Sequence, residues 1–477
     1  MPKNTRLKNC TMLKVAVGFA LLPTFQQSAF AEEVRVNAFI ENATYLRKDV
    51  GLSKFRNTLQ IEAEKTYKSS GAFSNISLSG TFRLSYDGVY DLNDEDFGEK
   101  AGRAISLENI AAGPGATVPF GEGLALPFSF DTANNPNEGL VVLGEHLHAT
   151  GGGVALGVPV RPCDTDSRGC ISGYLSRDIQ ELRSQELNDR LDFIRELYVD
   201  FDFNLDNGHI ISTRLGKQQV IWGRTDLFRV LDVINPVDYS RNNIYDELED
   251  IRIPMWILKT DYRMGATDTF DDLNLQLIWN FDRFRPNDLG QCGQPNVIVD
   301  AGCFFRGMNN LWENGGTVAN FAGGTAATDF GPGQIGIRQA NLPSWSLSNT
   351  QVGLKFEGVL GDLGFSLNAL NYRSQMPSLR GGIPAQNGFN GEVAVWPALI
   401  AFDIEFPRIT LVGGSMDYYS QSIDTVFRVE AAHTSGEEFA NTLRSELFSE
   451  SDVLRYVVGA DKNIFIPFLN DKRAFLF

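Results

Sequence analysis

Ile76-Ser77-Leu78-Ser79-Gly80-Thr81-Phe82-Arg83-Leu84-Ser85-Tyr86-Asp87-Gly88-Val89-Tyr90 decides the fold. Ile76, Leu78, Phe82, Leu84, Tyr86 and Tyr90 fall on one side of an extended chain, and Ser77, Ser79, Arg83, Ser85 and Asp87 on the other. A strand has a side-chain period of two, so this segment has one apolar and one polar face. That suits a wall with lipid outside and water inside, although a soluble sandwich alternates in the same way. The spacing of the segments separates the two.

Segments 34–46, 59–65, 197–203, 209–217, 255–264, 273–281, 351–358, 363–372, 408–418, 425–434 and 453–461 join 76–90 to make twelve expected strands. The connections 66–75, 204–208, 265–272, 359–362 and 419–424 are short and rich in Gly, Asp, Asn or Ser, the residues of tight turns. The connections 92–191, 218–254, 282–350 and 374–407 are long, and all fall on the other side of the strands. Short periplasmic turns opposite long extracellular loops are the pattern of an outer-membrane barrel. The expected fold is therefore all-β, an antiparallel transmembrane β-barrel over residues 32–477 with one or two short helices in its loops. Lys472 to Phe477 reads as an upward thirteenth strand cut short, which makes the chain incomplete at its C-terminus unless these residues are an abbreviated closing segment.

The first residues point to the same compartment. Lys3, Arg6, Lys8 and Lys14 precede or enter an apolar stretch at 15–22, and Ala29-Phe30-Ala31 before Glu32 has the small-residue pattern of a cleavage site. Residues 1–31 are read as a secretory signal peptide, and the chain as exported to the outer membrane of a Gram-negative bacterium. Cys10 lies inside the signal with no lipobox. The other cysteines form two close pairs in long loops, and loop separation favours Cys163 with Cys170 and Cys292 with Cys303. Neither pair has the spacing of a metal site, and no cofactor is expected.

The formal net charge is −17 from 42 basic and 59 acidic residues. That balance argues against nucleic acid as a partner. It suits loops held among outer-membrane lipid and lipopolysaccharide. Against the acidic trend, Arg83, Arg214, Lys259, Arg263, Lys355 and Arg428 lie on polar strand faces, opposed by Glu196, Asp200, Asp202, Asp261, Glu357 and Glu430. They either line a permeation path or brace the wall as ion pairs.

The run Leu215-Gly216-Lys217-Gln218-Gln219-Val220-Ile221-Trp222-Gly223 starts as a strand and stops alternating at Gln218. Arg224, Asp226, Arg229, Asp232 and Asp238 then mix with Trp222, Leu227, Phe228, Leu231 and Ile234, and Asn235-Pro236 ends the pattern. The spacing predicts a short amphipathic helix over 226–234. An extracellular loop this apolar is expected to fold into the barrel mouth, narrowing it with Lys217, Gln218, Trp222 and the polar residues named above. A second helix is expected within 172–197, where Leu175, Ile179, Leu182, Leu187, Leu191 and Ile194 recur near helical spacing.

Gly216-Lys217-Gln218, then Trp222-Gly223, then Asp232-Val233-Ile234-Asn235-Pro236-Val237-Asp238 resemble, in this order, the Gram-negative outer-membrane family known as domain of unknown function 1302. Ser85 to Leu92, Phe406-Pro407-Arg408 with Gly413-Gly414-Ser415, and Asp424 to Glu430 resemble it too, so the likeness spans most of the chain. Lys217 stands where that family often has Arg, keeping the charge without the planar fork. The resemblance implies a barrel working with an inner-membrane exporter of the resistance-nodulation-division type and a periplasmic lipid-carrier-like protein, and so a hydrophobic or lipid-like cargo.

The expected function is an outer-membrane channel for such molecules; the alternatives are a general or solute-specific porin and, third, an outer-membrane hydrolase. The chain has only four histidines; His433 has outward parity, and Glu145-His146-Leu147-His148 lacks a third metal ligand. No catalytic residue is assigned, and the chain is not expected to be an enzyme. The Gly151 to Gly153 and Gly323-Gly324 clusters sit in loops without the strand and helix that a nucleotide site needs.

Overall fold

The computed structural model describes residues 34–48, 50–102, 140–143, 156–225, 229–241, 248–296, 301–320, 326–386, 393–394, 401–441, 443–464, 468 and 475–476. The signal segment 1–31 and the sequence Glu145 to His148 lie outside them. Twelve long strands form one antiparallel sheet in chain order. They are β1 Val34–Arg47, β2 Gly51–Thr66, β3 Phe73–Asp87, β4 Ile194–Asn204, β5 Ile210–Gln218, β6 Met255–Arg263, β7 Asp272–Asn280, β8 Gln351–Leu360, β9 Leu363–Arg373, β10 Arg408–Ser420, β11 Thr425–Ala440 and β12 Phe448–Ile464. Every expected strand is present. The short segment Phe475–Leu476 pairs antiparallel with the end of β12, and among the described residues no ladder joins β1 to β12.

Polarity in this sheet is inverted relative to a soluble protein. Leu84, Leu277, Leu354, Leu367, Val412 and Val458 stand on the outer face with about 40–65% of their surface free, while Asn280, Gln276, Ser366, Asn368 and Glu430 on the inner face are buried. An apolar band this large belongs against lipid. Aromatic rings mark its edges. Phe73 packs on Phe203 at 5.1 Å and Phe270 on Phe365 at 5.8 Å near the short turns. At the other end Trp279 lies 5.4 Å from Phe281, whose carbonyl accepts a hydrogen bond from Trp345 Nε1 at 2.9 Å. The strand between these girdles has about the 9–11 residues that cross a bilayer.

The short turns follow from local chemistry. Leu360 pairs with Leu363 across a two-residue turn in which Gly361 takes φ +57°. A left-handed first turn residue matches the twist of the hairpin, and glycine adopts it without strain.

The long connections fold into a compact cap. Val158, Ile171, Tyr174, Phe284, Leu289, Phe305, Met308, Leu311, Ile337 and Phe406 form its core. Helix α1 Ile179–Arg183 and helix α2 Ala301–Asn314 belong to this region. Disulfides join Cys163 to Cys170 and Cys292 to Cys303, the expected pairs.

Three local expectations differ from the structure. Strand β3 ends at Asp87 rather than Tyr90, because Asp87 Oδ1 accepts the amides of Phe55 and Val89 and turns the chain into the cap, where Tyr90 is buried. The helix expected within 172–197 is only α1. Asp178 and Glu181 form its capping box, Ser184 ends it, and Leu187 and Leu191 are exposed. Residues 226–228 of the expected 226–234 helix lie outside the described residues, and 229–234 are irregular. The carbonyls of Val233 and Ile234 accept from Gln375 Nε2 at 2.8 and 3.2 Å.

The inverted polarity makes a direct prediction. Leu367→Arg, on the outer face of β9, will lower unfolding free energy from phospholipid vesicles by about 2–4 kcal/mol, the cost of a mid-membrane arginine on a barrel. A change below about 0.5 kcal/mol would mean that this face meets water.

Candidate functional site

Residues 219–225, 229–241 and 248–254, the described parts of segment 219–254, follow β5, and the first two stretches fold back against the inner face. Asn235, fully buried, ties the two ends of the segment together. Its Oδ1 accepts the Val220 amide at 2.8 Å, and its Nδ2 donates to the carbonyls of Gln218 at 3.2 Å and Ile253 at 2.9 Å. One side chain thus satisfies backbone groups at both ends of the segment. Gln218 Nε2 donates to the Ile257 carbonyl at 2.9 Å.

Trp222, Leu231 and Ile234 then pack on Ile257 of β6, Ile278 of β7, Leu370 of β9, Leu411 of β10 and Ala432 of β11. Two glycines notch the wall for them. A β-carbon at Gly353 would stand 2.6 Å from the Trp222 ring, and one at Gly413 would stand 2.9 Å from Leu231 Cδ2. Trp222 Nε1 donates to Gln276 Oε1 at 2.6 Å, and Gln276 Nε2 donates to Asp261 Oδ1 at 2.8 Å. Each of the three apolar side chains contributes about 1.5–3 kcal/mol by burial.

A polar clamp holds the tip. Glu430 Oε1, wholly buried on β11, accepts the amides of Thr225 at 2.7 Å and of Arg224. The Arg224 guanidinium pairs with Asp417 of β10. Arg428 donates to the Arg224 carbonyl at 3.3 Å and pairs with Asp461 at 3.1 Å. Behind the tip, Asp232 pairs with Arg252 at 2.7 Å and Arg229 at 3.4 Å, and Arg229 Nη2 donates to the Asn235 carbonyl at 2.7 Å. Trp222, Arg224, Arg229, Asp232, Asn235, Arg428 and Glu430 therefore meet in one place; Asp226 lies outside the described residues.

The other candidates spread along the wall. Arg214 forks onto Asp200 at 2.8 and 3.0 Å while its guanidinium covers the Tyr198 ring at 3.9 Å. Lys355 pairs with Glu357 at 2.5 Å and Lys259 with Asp261 at 3.7 Å. These pairs brace neighbouring positions of the inner face. Arg263 is exposed at the turn end of β6. Lys217 is buried beside Asp192 at 3.1 Å, and Asp192 also takes Arg285 at 2.7 Å. Burial opposes the charge on Asp192, but Arg285 and Lys217 outweigh it and hold the carboxyl well below the ordinary range.

A second, charged region lies beside β1 to β5. It is a cavity of about 190 Å³ reached by Arg83, Arg195, Lys217, Asp238, Arg241 and Asp288 among others. Arg83 pairs with Asp250 at 2.9 Å, Arg241 with Glu186 at 2.7 Å, and Arg177 with Asp288. Asp238, half-buried, and Asp288, buried, bridge backbone to backbone, which brings two carboxyl-bearing residues side by side. Burial, then the neighbouring Asp288 charge, raises the Asp238 carboxyl, whereas Arg177 keeps Asp288 low against its own burial. Glu186, Asp192, Arg195, Arg241 and Asp288 carried no alternating or motif signal, since their partners lie in distant loops. The apolar spacing of Phe305, Met308 and Leu311 does signal helix α2, which was not expected.

His433 is exposed on β11, with Nε2 3.8 Å from Asp452. Among the described residues no group of three or more His, Cys, Asp or Glu side chains could hold a metal ion.

The sequence matches, over residues 36–464, the family described as protein of unknown function (DUF1302), and the chain belongs to it. No curated protein matches it. Among solved structures it is similar to a ferric enterobactin receptor variant of Pseudomonas aeruginosa, at 9% identity and a TM-score of 0.26, with 90% of this chain and 59% of that one covered. It is similar to OmpT, an outer membrane protein of Vibrio cholerae, at 8% identity and a TM-score of 0.17, with 90% and 94% covered. It is also similar to a porin variant of Rh. blastica, at 9% identity and a TM-score of 0.15, with 90% and 100% covered. The chain thus spans 59% of the length of the first of these structures.

Two outcomes follow from the site. Gly353→Ala will cost about 1–3 kcal/mol of stability by crowding Trp222, and much less in a Trp222→Ala background; equal costs in both backgrounds would contradict the notch. Asp238→Asn will melt at a higher temperature than the native chain at pH 7. Because the folded-state pKa is raised, the penalty it removes appears as pH rises above the ordinary Asp value, about 3.8–3.9, and the gain must vanish toward pH 3. A gain that persists or grows on acidification would contradict the assigned charge state.

Proposed function

We propose that this member of the family is an outer-membrane conduit whose mouth is held closed by its own segment 219–254. The observation that carries the reading is the seat of Trp222 and Leu231 in wall notches at Gly353 and Gly413, with the tip clamped by Glu430. If the segment leaves, it uncovers Ile257, Ile278, Leu370 and Leu411 beside a charged cavity. An apolar strip next to fixed charges suits an amphipathic or lipid-like cargo. Cooperation with an exporter of the resistance-nodulation-division type and a periplasmic carrier belongs to this reading and rests on the family resemblance alone. The chain acts here without catalysis.

A solute-specific porin is the second reading. It is favoured by the inner face below the seat, where Asp261, Gln276, Lys355, Glu357, Ser366 and Asn368 are polar.

Deleting residues 224–239 will raise single-channel conductance in planar bilayers several-fold, and Trp222→Ala will raise the open fraction without changing the fully open level. A deletion protein that conducts no better than the native chain would contradict occlusion by this segment. Amphiphile block of the opened pore favours the first reading, and passage of small polar solutes without such block favours the second.

A further inference from the structure

We propose that the long-loop rim of the wall, where Arg373 of β9 faces Arg408 of β10, binds the phosphate-bearing head of an outer-leaflet lipid. The site is on the lipid-facing side of the sheet and stands apart from the conduit reading.

Arg373 ends β9 and Arg408 begins β10, and the two are register partners. They top the outward-facing row that continues as Asn371 with Thr410 and Ala369 with Val412. Like charges directly opposite each other on a sheet are destabilising, so this pair needs a counter-charge. Among the described residues its hydrogen-bond acceptors are all neutral. Arg373 Nε and Nη2 donate to Asn349 Oδ1 at 3.1 and 2.7 Å, and its Nη1 donates to the Phe406 carbonyl at 3.0 Å. Arg408 Nη1 donates to the Thr350 carbonyl at 3.0 Å and Nη2 to that of Ser348. A guanidinium has five N–H donors, so both groups are held in place with donors to spare, Nε of Arg408 among them. Both side chains are only half-buried. The charge that bears on Arg408 is that of Arg373, a like one.

The carboxylates around them are engaged elsewhere. Glu405, the nearest to Arg408 in sequence, accepts from Asn341 Nδ2 at 2.5 Å. On the adjoining strands Glu437 pairs with Arg455, and Asp452 lies 3.8 Å from His433 Nε2.

The turn that the arginines grip, Leu347–Asn349, supplies an apolar flank. Trp345, tied to the Phe281 carbonyl at 2.9 Å, and Leu347 have 57% and 69% of their surface free. Tryptophan in such a belt sits at the level of lipid head groups. Below the arginines, Ala369 lies between Leu354 and Val412, both exposed, and its single methyl group leaves a shallow apolar furrow between them. A phosphate on the two arginines with an acyl chain along the furrow matches both surfaces, since the guanidinium fork fits phosphate oxygens. The furrow selects a lipid over free phosphate. The long-loop side selects the outer leaflet, whose lipopolysaccharide is anchored by a phosphorylated glycolipid, lipid A.

The test uses the full-length protein in an uncharged maltoside detergent, titrated with bisphosphorylated lipid A and with the same lipid stripped of its phosphates, bound lipid being counted by native mass spectrometry. The phosphorylated form binds about tenfold more tightly or better, the value of one charge-assisted contact. Arg373→Gln with Arg408→Gln abolishes that preference and leaves binding of the stripped lipid unchanged, a result that a merely structural role in holding the turn would not give. Arg373→Lys with Arg408→Lys, which keeps both charges, retains part of the preference. Should the double glutamine variant fail to fold, Arg408→Gln alone replaces it with the same expected direction. Equal binding of the two lipids by the native chain, or native preference in a folded glutamine variant, overturns the proposal. Full displacement of the phosphorylated lipid by inorganic phosphate would show a phosphate site without a lipid and overturn it too.

Discussion

A polypeptide that crosses a bilayer has no water to satisfy its amides, so each must bond within the protein. The eleven interfaces between consecutive strands, from β1 to β12, meet that constraint through neighbour-to-neighbour ladders. Everything else in the structure depends on the resulting wall. It turns Leu84, Leu277 and Leu367 outward to lipid and gathers Asn368, Ser366 and Glu430 inward. It also gives an apolar loop somewhere to go, because the inner ends of β6, β7, β9 and β10 carry Ile257, Ile278, Leu370 and Leu411 rather than polar residues.

The mouth is thus divided by chemistry. On one flank, Trp222, Leu231 and Ile234 are fitted into an apolar seat and then fixed by a small number of buried polar contacts, chiefly those of Asn235 and Glu430. On the other, ion pairs and arginines surround a cavity. The two flanks share the 219–254 segment, which contributes Trp222 to the first and Asp238, Arg241 and Arg252 to the second. Movement of that segment would therefore change both flanks together.

Much of this was legible before the structure, and for identifiable reasons. Strand alternation and the parity of loop lengths are local signals, so all twelve strands could be placed, and Asn235-Pro236 with Trp222 marked the inward segment. The helix expected at 226–234 rested on apolar spacing ended by Asn235-Pro236; instead Leu231 and Ile234 pack on the wall, and Gln375 satisfies the Val233 and Ile234 carbonyls. Leu187 and Leu191 misled in the same way, their spacing helical and their side chains exposed. The cavity was invisible because Arg195, Glu186, Arg241 and Asp288 come from four separate stretches, and only the sheet brings them together. Gly353 carried no signal either, and Gly413 stood out only within a family motif, since the notch a strand glycine makes is seen only once its neighbour across the lumen is known.

The central claim is that residues 219–254 lie inside the wall in the membrane-embedded protein. Arg224→Cys combined with Asp417→Cys tests it most directly, because those two side chains pair inside the wall, near the short-turn end of β10. Treated with a short bis-methanethiosulfonate linker in outer-membrane vesicles, the double variant should form an intramolecular cross-link in high yield. Absence of that cross-link, while each single cysteine reacts freely with a monofunctional reagent from the outside, would place the segment in water and contradict the account.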